Sequence, residues 1–327
     1  MTLTSEIVKE KAKSLGFHLA GIASAHNDEQ IAAQIRLQNW LASGYHADME
    51  WMNNPKRFDL EKCLPGVQSV IAVALNYYTP HAQPDDPEKG KVSRYAWGRD
   101  YHKVMHKKLK TLSQWLESQG EEIKARYYCD TGPVQDKFWA QQAGLGWIAK
   151  NGNVITRDYG SWVFLGEVLT TCVLTPDSPY TEHCGSCTRC LQACPTKAFP
   201  EPFVVDAQRC IAYHTIENRN EVLPETIDLD GWVAGCDICQ EVCPWNQRFS
   251  KETDCKDFQP RSDMIAPNLL ELAHLQGESW DRKTRGSALR RIKPAMWRRN
   301  AHANLEKYGN RKPSKYFLRN EHSTDHL

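Results

Sequence analysis

The sequence contains no apolar run of the roughly 20 residues that a membrane-spanning helix needs. It begins with neither an apolar leader nor a twin-arginine motif. We therefore expect a cytoplasmic protein that does not contact a membrane. Twelve cysteines in a chain of 327 residues do not indicate a small secreted disulfide scaffold, because their spacings are those of metal ligands.

The chain also lacks an overall excess of charge, since its formal net charge is only +1. This balance hides an asymmetry. Residues 281–320 hold 13 lysines and arginines against two acids, whereas the rest holds 28 basic and 38 acidic side chains. An acidic body with a basic end predicts an anionic partner, although a solvated charged surface would give the same composition.

Cysteine spacing is the most specific signal in the chain. Cys184, Cys187, Cys190 and Cys194 follow one another at intervals of two, two and three residues, and Pro195 comes next. This is the bacterial ferredoxin pattern for a 4Fe–4S cluster, in which the fourth cysteine normally binds a second cluster. The predicted second set is Cys210, Cys236, Cys239 and Cys243, the last followed by Pro244.

The two motifs predict a relay of two 4Fe–4S clusters whose ligands are exchanged between them. Following the ferredoxin exchange, one cluster takes Cys184, Cys187, Cys190 and Cys243, and the other takes Cys194, Cys210, Cys236 and Cys239. Paired zinc knuckles are the alternative, which the regular spacing and the two Cys-Pro endings disfavour. The remaining thiols are predicted to be buried apolar groups: Cys63, Cys129, Cys172 and Cys255.

Hydrophobic periodicity in the first 175 residues alternates between helix and strand, which predicts an α+β or α/β domain. Predicted helices begin at Ser5, cover 29–44 and run from Met105 to Leu116; predicted strands cover 67–75, 123–129, 154–156 and 162–174. The strand over 67–75 is apolar throughout and should be buried on both faces. We expect three domains, over 1–175, 176–250 and 251–327.

Asp130 is placed at the end of the strand over 123–129, and Pro133 fits the first position of a following helix. Catalytic groups are commonly found where a strand end faces a helix N-terminus. An aspartate that merely caps the helix explains the same local sequence equally well.

The last predicted domain is helical and basic, with helical stretches over 269–275 and 287–299 and a frayed end. Basic side chains alternate there with Trp280 and Trp297, which suits a phosphate backbone and stacked bases. Our candidate nucleic-acid contacts are Arg290, Arg291, Lys293, Arg298 and Arg299.

Several motifs taken together resemble the epoxyqueuosine reductases, cobalamin-dependent iron–sulfur enzymes that complete queuosine on tRNA. Besides the cysteines, they are found at 97–102, 130–133, 146–151, 210–217 and 286–291. The resemblance implies a nitroreductase-like domain that holds cobalamin, a ferredoxin-like two-cluster domain, and a short C-terminal region in place of full HEAT-type helical repeats.

The same resemblance implies base-off cobalamin without a protein ligand beneath the metal, and cofactor contacts from Arg57, Ser93, Asp130, Lys150, Asn151 and Asp237. It implies that electrons from an external donor reach an epoxide on the tRNA wobble base. Asp130 would then act as the proton donor, with a pKa raised by burial against the corrin. Tyr101 and His102 are possible helpers, but a structural histidine is equally compatible with the sequence. We expect a monomer.

Three rival interpretations share part of this pattern. A reductive dehalogenase would also combine cobalamin with two clusters, but such enzymes usually carry a twin-arginine leader. A ferredoxin fused to a flavin domain would transfer electrons without this catalysis. A zinc-stabilised tRNA-binding module would contain no redox-active metal.

Overall fold

The computed structural model describes residues 3–83 and 86–308. The predicted frayed end and the part of the basic stretch beyond residue 308 lie outside these ranges. The strands are β1 Leu19–Ser24, β2 Ser69–Asn76, β3 Lys91–Val92, β4 Ala125–Tyr128, β5 Trp147–Ile148, β6 Val154–Ile155, β7 Val163–Thr170 and β8 Trp232–Ala234. The helices are α1 Ser5–Ser14, α2 Glu29–Ala42, α3 Tyr101–Glu117, α4 Asp136–Gln142, α5 Arg189–Ala193, α6 Ile211–Ile216, α7 Ile238–Glu241, α8 Pro244–Phe249, α9 Ser262–Ile265, α10 Leu269–Ala273, α11 Gly277–Thr284 and α12 Pro294–Tyr308.

A four-stranded antiparallel sheet in the order β1-β2-β7-β4 forms the centre of the first 175 residues. Helices cover both of its faces. Alternate residues of β2 point to opposite sides: Ile71, Val73 and Leu75 pack with α1 and α3, while Val70, Ala72 and Ala74 pack with α2 and α4. All eight residues of β2 are buried, which confirms the prediction of a strand covered on both faces.

Three local predictions were wrong. The strand β1 was missed, because its short sequence LAGIAS lacks the aromatic and β-branched content that marks a strand. The segment after Gly146 is a small hairpin of β5 and β6, where a loop was expected. The expected helix over 287–299 is a 3-10 turn, Ala288–Arg291, followed by α12, because Pro294 is suited to start a helix and not to continue one.

The cysteine-rich segment has short helices and contacts both flanking parts of the chain. Strand β3 pairs in parallel with β8, and the two belong to an apolar cluster that also contains Trp97, Leu289 and Trp297. Asn300 on α12 donates hydrogen bonds to the carbonyls of Thr215 and Val233, at 3.0 and 2.9 Å. All three predicted ranges therefore contribute to one core, and their division into domains stays a prediction.

Helices long and apolar enough to cross a membrane are absent from the described part of the chain.

Candidate active site

Asp130 lies two residues after the end of β4 in a left-handed backbone conformation, with φ of 58°. Aspartate is one of the few residues other than glycine that adopts this region readily. Its amide donates a hydrogen bond to Asp136 Oδ1 at 3.2 Å. Helix α4 begins at Asp136 after Gln135, so Pro133 is not its first residue and Asp130 is not its cap. The interpretation of Asp130 as a capping aspartate is therefore wrong.

A histidine bridges Asp130 and a second aspartate. His102 Nε2 lies 3.1 Å from Asp130 Oδ2, and its Nδ1 lies 2.9 Å from Asp100 Oδ1. Asp100 also caps α3 by accepting a hydrogen bond from the His102 amide at 3.1 Å. Tyr101 stacks on the imidazole, with ring centroids 4.0 Å apart, and on Phe164 at 4.2 Å. The ring of His102 is thus fixed in position and orientation.

The two carboxylates control the charge of this group. Burial alone would lower the pKa of His102, but hydrogen bonds to Asp100 and Asp130 raise it to about 9. Burial tends to raise the pKa of Asp130, yet hydrogen bonds from His102 and Tyr101 outweigh it and leave that pKa below its ordinary value. In this structure the proton therefore resides on His102 at neutral pH, and the predicted rise in the pKa of Asp130, which depends on burial against the corrin, stays a prediction.

We expect this charge to appear in the pH dependence of folding. Because the pKa of His102 rises from its usual 6.5 to about 9, the stabilisation is complete below pH 6.5 and is lost as the pH rises through about 9. His102→Gln should remove this loss, which is on the order of 2 kcal/mol after allowance for solvent around Asp130. Urea denaturation at both ends of this range measures it. A substitution of the exposed His274 provides the control variant, which should keep the pH dependence of wild type. If His102→Gln also keeps the pH dependence of wild type, the assignment of this charge to His102 is contradicted.

Lys137, in the first turn of α4, was missed by sequence reasoning. Its Nζ donates a hydrogen bond to the carbonyl of Gly152 at 2.7 Å. Its charge interacts with Asp130 and with the thiols of Cys210 and Cys239, and its side chain keeps exposed surface. Lys137 is therefore close both to the aspartate and to the second cysteine group, which contains Cys194, Cys210, Cys236 and Cys239. The sequence carries no specific signal for this position beyond its proximity to Asp130.

Arg291 and Glu217 form an ion pair near the same aspartate. Arg291 Nη2 lies 2.7 Å from Glu217 Oε1. The charge of Arg291 lowers the pKa of Asp130, and the charge of Asp130 raises the pKa of Glu217. Arg291 was predicted as a nucleic-acid contact. Its position brings the basic C-terminal region to the edge of the site.

Most of the eight cysteines interact electrostatically within two sets. Cys243 interacts with Cys187 and Cys190, and Cys210 interacts with Cys194, Cys236 and Cys239, while Cys239 also interacts with Cys190 of the other set. Eight thiols suit two 4Fe–4S clusters, and the exchange of ligands between the clusters stays a prediction. Of the other thiols, Cys63 and Cys129 are buried as predicted, whereas Cys172 and Cys255 are only partly buried.

The predicted corrin contacts make hydrogen bonds that hold the cysteine loops. Ser93 Oγ donates to Asp237 Oδ1 at 2.8 Å, and both residues are 2% exposed. Asn151 donates to the carbonyl of Cys239 and Lys150 to that of Cys187, each at 3.1 Å. Arg57 donates to the carbonyls of Gly132 and Val134, at 3.2 and 3.1 Å. Ser93 and Asp237 are thus structural links in this conformation, while Arg57 and Lys150 keep accessible surface.

The predicted nucleic-acid contacts do not form one surface. Arg290 and Lys293 are exposed and lie over Trp280, at 4.9 and 5.9 Å from its ring centre. Arg299 instead donates to backbone carbonyls, among them those of Asn218 at 3.0 Å and His214 at 2.6 Å, and burial lowers its pKa to about 10. Arg299 is therefore a structural residue.

The structure also fixes the positions of two other predicted contacts in the basic C-terminal region. Trp297 is fully buried and cannot stack on a base. Arg298 Nη1 donates a hydrogen bond to the carbonyl of Leu275 at 3.0 Å, which fixes the aliphatic part of the side chain. The rest of the guanidinium group stays partly accessible.

Comparison with known proteins identifies this arrangement. A family model described as epoxyqueuosine reductase QueG matches residues 57–131, and one described as a 4Fe-4S double cluster binding domain matches residues 183–246. The epoxyqueuosine reductase of a Synechocystis strain is 60% identical over 290 residues, which cover 88% of this chain and 99% of the relative. The chain belongs to the epoxyqueuosine reductase family. The epoxyqueuosine reductase of Atelocyanobacterium thalassa is 57% identical over 307 residues, which cover 93% of this chain and 100% of the relative.

Solved structures of epoxyqueuosine reductases share this fold. One contains a tRNA-Tyr epoxyqueuosine-modified stem loop and matches with a TM-score of 0.82 at 32% identity, covering 93% of this chain and 81% of that one. Another, from Bacillus subtilis, has an aspartate catalytic loop swung out of its active site; it matches with a TM-score of 0.81 at 31% identity and the same coverage. The cofactors of the epoxyqueuosine reductase family are two 4Fe–4S clusters and cobalamin, and this chain takes the same set.

Proposed function

We propose that this protein reduces epoxyqueuosine to queuosine at the wobble position of tRNA. The observation that carries the proposal is the Asp100–His102–Asp130 group beside the second cysteine group, in a chain of this family. Nucleoside analysis by mass spectrometry, after incubation of the loaded protein with an epoxyqueuosine-containing stem loop and a reductant, tests it. Accumulation of queuosine supports the proposal, and unchanged substrate contradicts it.

The reaction needs both electrons and protons at one place. The epoxide oxygen leaves as water and a carbon–carbon double bond forms, which consumes two electrons and two protons. Each cluster carries one electron at a time. Bound cobalamin supplies a centre that can hold two reducing equivalents next to the substrate.

Electrons should pass from the first cysteine group to the second. Lys137 interacts with both Asp130 and the thiols of Cys210 and Cys239, which makes their cluster the inner one. The group containing Cys184 is the outer one and would accept electrons from an external donor. The positive charge of Lys137 would also stabilise added negative charge on the inner cluster.

The monomeric state stays a prediction, which sedimentation velocity would test.

Protons are supplied by His102 and Asp130 together. The imidazolium of His102 holds a proton 3.1 Å from Asp130 Oδ2. When carbon–oxygen cleavage leaves an alkoxide, the proton on His102 Nε2 moves to the Asp130 carboxylate, which passes it on to that oxygen. Solvent then returns a proton to His102, and the same route delivers the second proton with which the oxygen leaves as water. Asp100 keeps Nδ1 paired and so holds Nε2 toward Asp130. In this proposal Asp130 remains the direct proton donor, and His102 is the residue that holds the proton before the reaction.

The cobalamin site is proposed to border Asp130, Lys137 and the accessible faces of Arg57 and Lys150. Asn151, Ser93 and Asp237 would support it by fixing the cysteine loops, although we retain them as candidates for corrin contacts.

The tRNA surface is proposed to consist of Arg290, Lys293 and the half-exposed ring of Trp280, with Arg291 at its inner edge. Arg298 flanks it. The anticodon loop would reach the site with the modified base out of its stack, since the reacting group must approach the cofactor.

Removal of two of these charges should weaken tRNA binding. We expect Arg290→Ala/Lys293→Ala to raise the Kd for the stem loop about tenfold and to reduce the slope of log Kd against log salt by about 1.4, the value for two contacts to a single strand. Fluorescence anisotropy at several salt concentrations measures both quantities.

The matched control removes two exposed lysines elsewhere, Lys13 and Lys110. Equal effects of the two double variants would show that only overall charge matters and that the proposed tRNA surface is misplaced.

A further inference from the structure

A buried carboxyl group lies beneath the candidate active site without an obvious partner. Glu167 occupies the central strand β7, opposite Ala72 on β2 and Tyr128 on β4. It is 0% exposed, and neither of its carboxyl oxygens receives a hydrogen bond from a donor among the residues that the structure describes. A glutamate in this position is costly as an anion, because nothing compensates the loss of hydration.

The nearest polar group is a second carboxyl. Glu167 alternates along β7 with Leu165 and Leu169, which pack with α4 on one face of the sheet, and Asp136 is the first residue of α4. The two carboxyl groups interact there. Two carboxylates cannot hydrogen bond to each other, since both only accept. One proton between them removes the conflict: a protonated Glu167 donates to Asp136, and each group then has a partner.

Asp136 connects this pair to the chemistry. Its Oδ1 accepts the hydrogen bond from the amide of Asp130 at 3.2 Å. That bond fixes the left-handed turn which directs the Asp130 carboxylate toward His102. The chain of contacts thus runs from the centre of the sheet to the residue that we propose as proton donor.

We propose that Glu167 and Asp136 share one proton and that Glu167 is a positioning residue, which holds Asp136 against the backbone of Asp130. The inference rests on the proposed function, in which Asp130 donates a proton. It assigns no contact with substrate or cofactor to Glu167.

The surrounding charges are consistent with one shared proton. Burial and the adjacent Asp136 keep the pKa of Glu167 well above its ordinary value. Asp130 adds negative charge near Glu167, and Cys129 is a neutral thiol because burial raises its pKa. The cations Arg57 and Lys137 interact with Asp136. Asp136 therefore carries the negative charge of the pair, and Glu167 the proton.

Two variants of the full holoenzyme test the inference. Glu167→Gln keeps a side-chain donor for Asp136, and we expect kcat within about threefold of wild type. Glu167→Leu has a similar size but no donor, and we expect kcat to fall about 10- to 100-fold with little change in KM, because small displacements of catalytic groups have effects of this order. Iron and cobalamin contents should match wild type in both.

A spectroscopic measurement detects the proton without turnover. The infrared carbonyl band of a protonated carboxyl should be present in wild type at about pH 8, where solvated carboxyls are ionised. It should be absent in Glu167→Gln and present in Glu278→Gln, which changes an exposed glutamate.

Loss of activity in Glu167→Gln equal to that in Glu167→Leu would overturn the inference, as would a carbonyl band that persists in Glu167→Gln. Failure of wild type to convert epoxyqueuosine would instead contradict the proposed function, and the infrared result would still stand on its own. If Glu167→Leu does not fold, the activity and infrared band of Glu167→Gln decide the matter.

Discussion

Asp130→Asn is expected to lower turnover of epoxyqueuosine-containing tRNA by about 10²- to 10⁴-fold, the usual contribution of a positioned general acid. Asparagine can still accept a hydrogen bond from His102 but cannot pass a proton to an alkoxide. Both clusters and cobalamin should be retained, because Asp130 is not among their proposed metal ligands. Single-turnover assays with the loaded variant measure the effect apart from tRNA binding.

A matched control is available at another aspartate–histidine contact. Asp254 also contacts a histidine, with Oδ1 3.0 Å from His18 Nε2, but its side chain is 85% exposed. Asp254→Asn should turn over like wild type. Near-normal activity of Asp130→Asn would show that the acid has been misassigned, and His102 would then be tested as the direct donor.

The exchanged ligands of the clusters give the second large effect. Replacing Cys243 with serine should reduce the iron content from about eight to about four atoms per chain and abolish turnover, since the electron relay is interrupted. The double variant Cys184→Ser/Cys243→Ser should lose no more iron than either single variant, because both residues bind the same cluster. Cys194→Ser/Cys243→Ser should lose both clusters. Anaerobic iron analysis and electron paramagnetic resonance distinguish these outcomes.

Cys172→Ser serves as the control, since this thiol belongs to neither group and should leave eight iron atoms in place. Local ligation, in which Cys194 shares a cluster with Cys184 and Cys187, predicts instead that Cys184→Ser/Cys243→Ser loses both clusters and that Cys184→Ser/Cys194→Ser loses only one. Cys194→Ser/Cys243→Ser loses both clusters under either scheme, so the two other double variants decide between them. Because clusters contribute to folding, stability of each variant is compared by urea denaturation.

The sequence was most informative where chemistry depends on residues close together in the chain. The exchange of ligands between the clusters stays a prediction, but the cysteine spacing correctly predicted a segment that binds two 4Fe–4S clusters, and the apolar run of β2 correctly predicted a strand buried on both faces. Both follow from local periodicity or ligand spacing, which need no knowledge of the rest of the fold.

Contacts between distant segments could not be predicted in this way. Glu167 on β7 and Asp136 on α4 meet only because the sheet carries α4 on that face. Lys137 reaches the second cysteine group through a loop arrangement that no local pattern encodes.

The same limit explains the errors at the site. Pro133 looked like a helix start, but the chain turns left-handed at Asp130 and α4 begins at Asp136. Arg299 looked like a phosphate contact, but packing of α12 against residues 214–220 directs its guanidinium to backbone carbonyls. Basic composition identifies a region, whereas the fold decides which of its charges are free.

The central claim is that this chain couples two clusters and cobalamin to reduction of a tRNA-bound epoxide. The most direct measurement combines metal analysis with nucleoside mass spectrometry on protein reconstituted anaerobically with iron, sulfide and cobalamin, then supplied with a low-potential reductant and an epoxyqueuosine-containing stem loop. We predict about eight iron atoms and one cobalt per chain, and conversion of epoxyqueuosine to queuosine that requires both metals. Fully loaded protein that leaves the epoxide intact, or conversion that proceeds without cobalamin, would contradict this account.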